Sequence, residues 1–251
     1  MAESKPGICY IPIDINPYLT TEAIRRMQSI PRVRIPFTII DDFEEHHGHV
    51  DSVIKERIRD YRQVNVFTML GGTFSNLEGD EQYIVQKFKT WMDENDYLIV
   101  DAFIKDDEYS FETDTEVQVA SMNPDYKMFL INACINKCVC AVSGDVSRPT
   151  QQVIARVAND LPSVLSAEEV RDEHERGRYT GLAGTVVTAY KTKQLNGAWA
   201  TMRQEMLIAK RYDCARLEAF LRAHFEVLFN FSEMDPEKHK GRAMFLLKKR
   251  S

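Results

Sequence analysis

Apolar runs alternate with amphipathic stretches along the first hundred residues of the chain. The apolar runs are rich in β-branched and aromatic residues and mostly lack strict alternation, which is typical of strands covered on both faces. Four of them stand out: ICYIPI, VRIPFTII, VNVFTML and YLIVDAFI. The stretches between them repeat apolar residues at helical spacing and predict helices at TTEAIRRMQSI, VDSVIKERIRDY and EGDEQYIVQKFKTWM. This alternation predicts an α/β fold with a mostly parallel, doubly wound sheet.

The pattern changes after the fourth apolar run. Helices are predicted at NPDYKMFLINACINKCVCAV, at the amphipathic QQVIARVANDL and at the charged SAEEVRDEHERGR, and a stretch rich in glycine, threonine and valine follows. The last part predicts a strand at ATMRQEMLIAKRY and a helix capped by Asp213. Two further strands, EVLFNFS and AMFLLKK, are predicted to pair as an antiparallel end to the sheet.

Composition and charge narrow the range of partners. The 251 residues are 44% hydrophobic and 28% charged, which is ordinary for a globular protein with a buried core. A formal net charge of −6 gives no basic field that would attract nucleic acid or an anionic membrane, so we expect neither as a partner. No apolar run is long enough to cross a bilayer and no secretion signal is evident, so we expect a cytoplasmic protein.

Two groups of metal-binding residue types occur in the sequence, and we expect neither to hold a metal. Cys134, Cys138 and Cys140 lie in an apolar stretch whose spacing fits no zinc pattern, and buried core thiols are the simpler interpretation. The histidines of HHGH, at positions 46–49, fit an exposed turn. The odd total of five cysteines, in a chain without an export signal, favours reduced thiols.

Acidic residues and glycines follow the ends of the predicted strands. Asp14 ends the first strand, Asp42 and Phe43 follow the second, and Gly71 and Gly72 follow the third. Ligands of parallel sheets collect at the carboxyl ends of the strands, where loops and helix N-termini meet. A carboxylate there can accept both hydroxyl protons of a ribose, and paired glycines let the backbone approach a bulky ligand. Each residue alone is more simply a cap or a turn, and only their order predicts a nucleotide-type site.

These blocks resemble the histidine-specific, S-adenosylmethionine-dependent methyltransferase family, which includes the enzyme that trimethylates histidine in ergothioneine biosynthesis. The similar blocks are YIPIDINPYLTTEAIRRM, VRIPFTIIDDFEEH, VFTMLGGTFSNLEGDE and YLIVDAFIKD, in the family's order. A later block, EMLIAKRYDCARLEAFLRAHFEVLFNF, is similar to the family's closing strand, helix and strand. The resemblance implies a Rossmann-like class I methyltransferase sheet and S-adenosylmethionine as the cofactor.

The resemblance also implies a role for each matching residue. The strand-end acids and their phenylalanine would hold the ribose and the adenine, and the glycine turn would line the methionine part. The cofactor-side candidates are Asp14, Asp42, Phe43, Gly71, Gly72 and Thr73. The substrate-side candidates are Asn76, Tyr126 and Glu205, with Asn132 and Asn136 as alternatives on the helix of Tyr126.

Two features depart from the family's pattern. The family's glycine-rich strand and turn precede the block of Asp14, whereas here only MAESKPG stands before it, so we expect a sheet that lacks its first strand. In the family, a Glu-x-Ser pair binds the imidazole of the substrate. Here Glu205 is present, but Leu207 stands in the position of the serine, two residues later. This difference argues against histidine itself as the substrate.

We therefore expect a partial Rossmann-like cofactor domain at residues 1–144, an inserted lobe at 145–198, and a C-terminal part at 199–251 that completes the sheet. The first hypothesis is an N-methyltransferase-like protein that acts on an amino-acid-type amine and is completed by a missing or partner-supplied N-terminal segment. The alternative is a non-catalytic binding or scaffold subunit with the same fold. Because a sheet without its first strand has an unpaired edge, we expect a homo-oligomer or a complementary chain to pair with it.

Overall fold

The computed structural model describes residues 8–14, 17–41, 44, 49–58, 64–112, 165–192 and 205–250. The chain divides into two compact units, Met1–Gln63 and Val64–Ser251. The domain boundaries expected near residues 144 and 198 lie outside the described residues, as do the helices expected at NPDYKMFLINACINKCVCAV and QQVIARVANDL. In the described ranges, no helix is both long enough and apolar enough to cross a membrane.

The first unit contains two very short parallel strands among its helices. Its elements are β1 (Ile8–Cys9), α1 (Pro17–Gln28), β2 (Val33–Arg34), α2 (His49–Val53) and a π-helical segment (Ile54–Ile58). β1 pairs with β2, and one further bridge joins Ile13 to Ile39. The expectation of two full-length strands is wrong here. Pro12 and Pro36 interrupt both apolar runs, because proline has no N–H to donate to a strand ladder.

Helix α1 carries a small ion-pair cluster on its exposed side. Glu22 accepts hydrogen bonds from the Nε atoms of Arg25 and Arg26, each at 2.8 Å. These two bonds, that of Arg25 first, lower the pKa of Glu22 to about 2. The spacing of three and four residues places the three side chains on one helix face, as the amphipathic pattern predicts.

The second unit is built on one mixed sheet. Its elements in chain order are β3 (Val66–Met69), a 3₁₀ helix (Thr73–Asn76), α3 (Glu81–Trp91), β4 (Tyr97–Lys105), β5 (Leu165–Glu169), α4 (Glu173–Tyr179), β6 (Val186–Thr192), β7 (Glu205–Asp213), α5 (Cys214–His224), β8 (Phe225–Asp235) and β9 (Lys240–Lys249). The strands predicted from VNVFTML, YLIVDAFI, EVLFNFS and AMFLLKK are all present, and β8 and β9 pair antiparallel as expected. The predicted α/β fold class is confirmed.

Strand β4 lies at the centre of this sheet. One of its edges pairs along its whole length with β9, antiparallel. Its other edge pairs in parallel with β3 over Tyr97–Val100 and with β7 over Ile104–Lys105. The strand order β5-β6-β7-β4-β9-β8, with β3 also on β4, contains more antiparallel pairing than we expected. The β3–α3–β4 segment is the parallel β-α-β unit from which Rossmann-like folds are built.

Aspartate caps set the helix starts in this unit. Asp80 accepts the N–H of Tyr83 to begin α3, and Asp213 accepts the N–H of Arg216 to begin α5, as its sequence predicts. The expected helix SAEEVRDEHERGR is wrong in its first part. Ala167–Glu169 belong to β5, and α4 begins only after Asp172, whose side chain accepts the first free N–H groups of the helix.

The hydrophobic core of this unit lies on one face of the sheet. Phe67 of β3 contacts Phe88 and Trp91 of α3, at ring-centroid distances of 5.9 and 6.4 Å. The same face carries buried residues of β4 and β9 and the buried side of α5: Leu98, Val100, Ala102, Ile104, Ala243, Phe245, Leu247, Leu217 and Leu221. Helices α3 and α5 therefore cover this face, whereas Asp101, Phe103 and Arg242 belong to the opposite face.

Candidate functional site

A left-handed glycine turn follows β3. Gly71 and Gly72 have φ angles of 78° and 80°, in the left-handed region that costs side-chain-bearing residues about 1–2 kcal/mol. The 3₁₀ helix starts at the next residue, Thr73, whose Oγ1 donates to the carbonyl of Leu70 at 2.8 Å. Both residues between the end of the strand and the 3₁₀ helix therefore have a backbone conformation that glycine adopts without strain.

The carboxylate of Asp101 holds this turn in place. Its Oδ2 accepts the N–H of Gly71 at 3.0 Å, and its Oδ1 accepts the N–H of Gly72 at 2.7 Å. Asp101 lies in β4, next to β3, and is only 7% exposed. A buried carboxylate that accepts two backbone N–H groups is strongly bound, so this turn is fixed rather than free to change shape. Asp101 is not among the residues predicted for the site, although a lone acid inside an apolar strand is a usable signal.

Phe103 lies directly under the second glycine. A Cβ atom on Gly72 would come within 2.4 Å of Phe103 Cζ, whereas a Cβ atom on Gly71 would have nothing within 4 Å. The N–H of Phe103 donates to Ser75 Oγ at 2.7 Å, which joins the 3₁₀ helix to β4. Gly72 is therefore needed for close packing inside the protein, while Gly71 borders open space that a ligand can enter.

Two arginines flank the ring of Phe103. The guanidinium of Arg211, on β7, lies 5.4 Å from the ring centroid, and that of Arg242, on β9, lies 5.2 Å from it. Arg211 also lies 5.6 Å from the ring centroid of Tyr109, and Arg242 Nη1 is 3.9 Å from Asp101 Oδ2. A guanidinium held against an aromatic ring in this way still presents its forked N–H donors, so two sets of donors lie beside Phe103.

A buried polar cluster lies behind the glycine turn. Glu81 Oε1 accepts the hydroxyl of Tyr212 at 3.0 Å and lies 3.5 Å from Lys210 Nζ, which donates to the carbonyl of Gly79 at 2.6 Å. Glu81 Oε2 accepts the hydroxyl of Thr180 at 3.1 Å. The Tyr212 ring contacts Phe74 of the 3₁₀ helix, with ring centroids 5.7 Å apart. This cluster supports the turn from below and joins it to β7 and to the loop after α4.

Two acids that follow β4 contact a histidine from the turn between β8 and β9. His239 Nδ1 lies 3.0 Å from Asp106 Oδ2, and its Nε2 lies 3.5 Å from Glu108 Oε2. Desolvation raises the pKa of Asp106, but the contact with His239 and the N–H of Glu108 outweigh it and lower that pKa below its usual value. Among the described residues, no group of three or more His, Cys, Asp or Glu side chains is arranged to hold a metal ion.

The structure brings together one part of the predicted site. Gly71, Gly72, Thr73 and Asn76 form the glycine turn and the 3₁₀ helix, and Asn76 ends that helix with its side chain partly exposed. Asp14 lies in the first unit, where its N–H donates to the carbonyl of Ile39 at 3.2 Å. Five further candidates lie outside the described residues: Asp42, Phe43, Tyr126, Asn132 and Asn136. For Glu205, only the backbone position at the start of β7 is described. Their predicted roles remain predictions.

Comparison with known proteins gives little beyond this geometry. The sequence matches no family model, and no curated protein matches it. One similar solved structure is an S-adenosylmethionine-dependent methyltransferase from Clostridium acetobutylicum ATCC 824, with 12% identity, 96% of this chain and 75% of that chain covered, and a TM-score of 0.38. Another is Streptomyces venezuelae DesVI, with 11% identity, coverage of 96% and 74%, and a TM-score of 0.35. Both similarities are low in sequence and in structural superposition.

Proposed function

We propose that this chain is an S-adenosylmethionine-dependent N-methyltransferase-like protein that acts on an amino-acid-type amine. In this proposal a glycine-rich strand and turn are supplied by a further segment or by a partner chain. The observation that carries the proposal is the turn at Gly71 and Gly72, which Asp101 fixes at the carboxyl end of β3 and which borders open space. The order of the sequence blocks around this turn supports the choice of cofactor.

The residues present fit the methionine side of such a cofactor. Gly71 offers an approach without a Cβ atom, and Thr73 and Asn76 stand on the next turn of chain. When bound, S-adenosylmethionine supplies an activated methyl group on a sulfonium. The protein then has to align the amine with that methyl carbon and to keep the amine unprotonated, which needs positioning and no covalent intermediate. In the proposal Asn76, and Tyr126 from outside the described residues, orient the amine.

Calorimetric titration of the purified chain with S-adenosylmethionine tests whether the glycine-rich segment is required. We expect no binding, or binding far weaker than micromolar, because in this proposal the glycine-rich segment forms the second wall around the methionine end. Tight binding by this chain alone would contradict our account of how the pocket is completed.

Hydrogen exchange at millimolar S-adenosylmethionine tests the place of binding. We expect slower exchange in peptides that cover Gly71–Asn76, and we expect Gly71→Val to remove this protection because its side chain fills the open approach. Gly177→Val is the matched control, since Gly177 lies in α4 and also has open space around it. Equal loss of protection in both variants, or protection elsewhere only, would contradict the assignment of the turn.

One observation favours the alternative of a non-catalytic binding subunit. The N–H groups of Gly71 and Gly72 both donate to Asp101, so neither is free to donate to a bound cofactor. A scaffold subunit would keep this rigid turn without turnover. Incubation with methyl-labelled S-adenosylmethionine and a panel of amino acids and their decarboxylated amines separates the two functions, because only the enzyme transfers label.

A further inference from the structure

The sheet of the second unit has an apolar surface on the face opposite α3 and α5. Phe229 and Phe231 of β8 are 57% and 55% exposed, and Met244 of β9 is 42% exposed. The pairing register puts Phe229 beside Leu246 and Phe231 beside Met244, so all four side chains lie on this face. Exposed apolar clusters of this kind on soluble proteins usually mark a binding surface.

Charged residues border this apolar centre at both ends of the two strands. Glu226 of β8 pairs with Lys248 of β9 at one end, and Glu233 of β8 pairs with Arg242 of β9 at the other. We call these eight residues the open face: Glu226, Phe229, Phe231, Glu233, Arg242, Met244, Leu246 and Lys248. An apolar centre with a charged rim is the usual anatomy of a protein interface.

The charges of the open face are arranged in two rows of opposite sign. The acids are on β8 and the bases are on β9, at matched heights along the strands. A twofold axis parallel to the strands, above the line between β8 and β9, would place β8 of one copy over β9 of the other. Glu233 would then face Arg242 of the partner copy, and Glu226 would face Lys248 of the partner copy. Phe229 and Phe231 would meet the partner's Leu246 and Met244.

We infer that the open face binds a second copy of this chain, face to face, as a symmetric sheet-on-sheet dimer. Such an interface is isologous, so each contact occurs twice. Sheets pack in this way about 10 Å apart, with their strands within about 30° of each other. A different protein or another segment of this chain would need its own matching charge rows, whereas a second copy carries them by construction. The inference does not depend on the proposed function.

A mixing experiment with two charge-reversal variants tests this symmetry. In Glu233→Arg, both contacts between positions 233 and 242 of the two copies become arginine against arginine, and in Arg242→Glu both become acid against acid. We expect each variant alone to dimerise roughly 100-fold more weakly than the original chain, because facing like charges cost several kcal/mol. An equal mixture of the two variants restores both contacts, and we expect it to form a heterodimer.

Light scattering after size exclusion, over a concentration series, measures these states. Glu94→Arg is the matched control, since Glu94 is an exposed turn residue outside the open face, and it should leave the dimer unchanged. Circular dichroism of each variant shows whether it is folded, and the mixture provides a second test because no charge within either chain changes on mixing. A monomeric original chain, variants that still dimerise, or a mixture that stays monomeric would each overturn the inference.

Discussion

Replacing Lys210 with methionine should be among the most damaging single changes in the second unit. The Lys210 side chain is fully buried, and its ammonium lies 3.5 Å from the carboxylate of Glu81, which is 2% exposed. Lys210→Met keeps most of the side-chain volume but leaves a buried carboxylate without its countercharge. Breaking a buried pair in this way costs about 3–5 kcal/mol. This is a large part of the roughly 5–15 kcal/mol by which a domain is stable.

The same reasoning predicts strong non-additivity. Glu81→Gln alone leaves the Lys210 ammonium buried with the carbonyl of Gly79 as its acceptor, and it should also cost about 3–5 kcal/mol. The double variant removes both charges and should cost clearly less than the sum of the two single changes, because the second change removes the charge whose opposite charge the first change has already removed.

Urea unfolding, followed by circular dichroism and by tryptophan fluorescence, to which the buried Trp91 contributes, measures these free energies. Lys238→Met is the matched control, since Lys238 forms an exposed ion pair with Asp235 at 3.1 Å and should change stability by less than about 1 kcal/mol. If Lys210→Met costs no more than this control, or if the two buried changes add, then the cluster is not an ion pair shielded from water and our reasoning is refuted.

Three further predictions concern the glycine turn, a thiol and a carboxylate. Gly71→Ala and Gly72→Ala share the cost of a left-handed φ, about 1–2 kcal/mol, but only Gly72→Ala also collides with a phenylalanine ring. In urea unfolding Gly72→Ala should therefore be clearly the less stable variant. Equal losses of stability in the two variants would contradict this. Burial raises the pKa of the Cys214 thiol most, and a neighbouring carboxylate raises it further. At pH 8 iodoacetamide should therefore label Cys214 much more slowly than the exposed Cys9, as measured by peptide mass spectrometry. Similar labelling rates would contradict this. Carbon-13 NMR should show a pKa of about 2 for Glu22, so its contribution to stability is present above its ordinary pKa of 4.5 and is lost as the pH falls from there towards 2. Molar salt should raise this pKa. A pKa near 4.5 at low salt would show that the contacts with the two arginines do not persist.

Local signals in the sequence predicted most elements of the second unit. The apolar runs of β3 and β4, the cap of α5 at Asp213 and the antiparallel pair β8 and β9 all depend on neighbouring residues, and all are present. The errors have local causes as well. Pro12 and Pro36 cut two predicted strands short, and the cap at Asp172 delays the start of α4. The amount of antiparallel pairing could not be predicted, because it depends on which distant strands meet at β4.

The candidate site was predictable where residues are close in sequence and not where they meet through the fold. The glycine turn and Asn76 lie within one short block, and the sequence singled them out. Asp101 contacts that turn although it lies 30 positions later in the chain, inside a run predicted to be an apolar strand. Lys210 and Glu81 are even farther apart in the sequence. A lysine inside a strand is ordinarily predicted to be exposed, so the sequence did not indicate this buried contact.

The central position of β4 has a consequence for how the protein is made. Tyr97 and its neighbours find one set of partners in β9, more than a hundred positions later in the chain. Because the chain is synthesised from its N-terminus, β4 leaves the ribosome long before β9 is made. During this time one edge of β4 is unpaired and can pair with other chains. Contacts so distant in sequence form slowly, and the unfinished chain is the stage at which chaperones would be needed most.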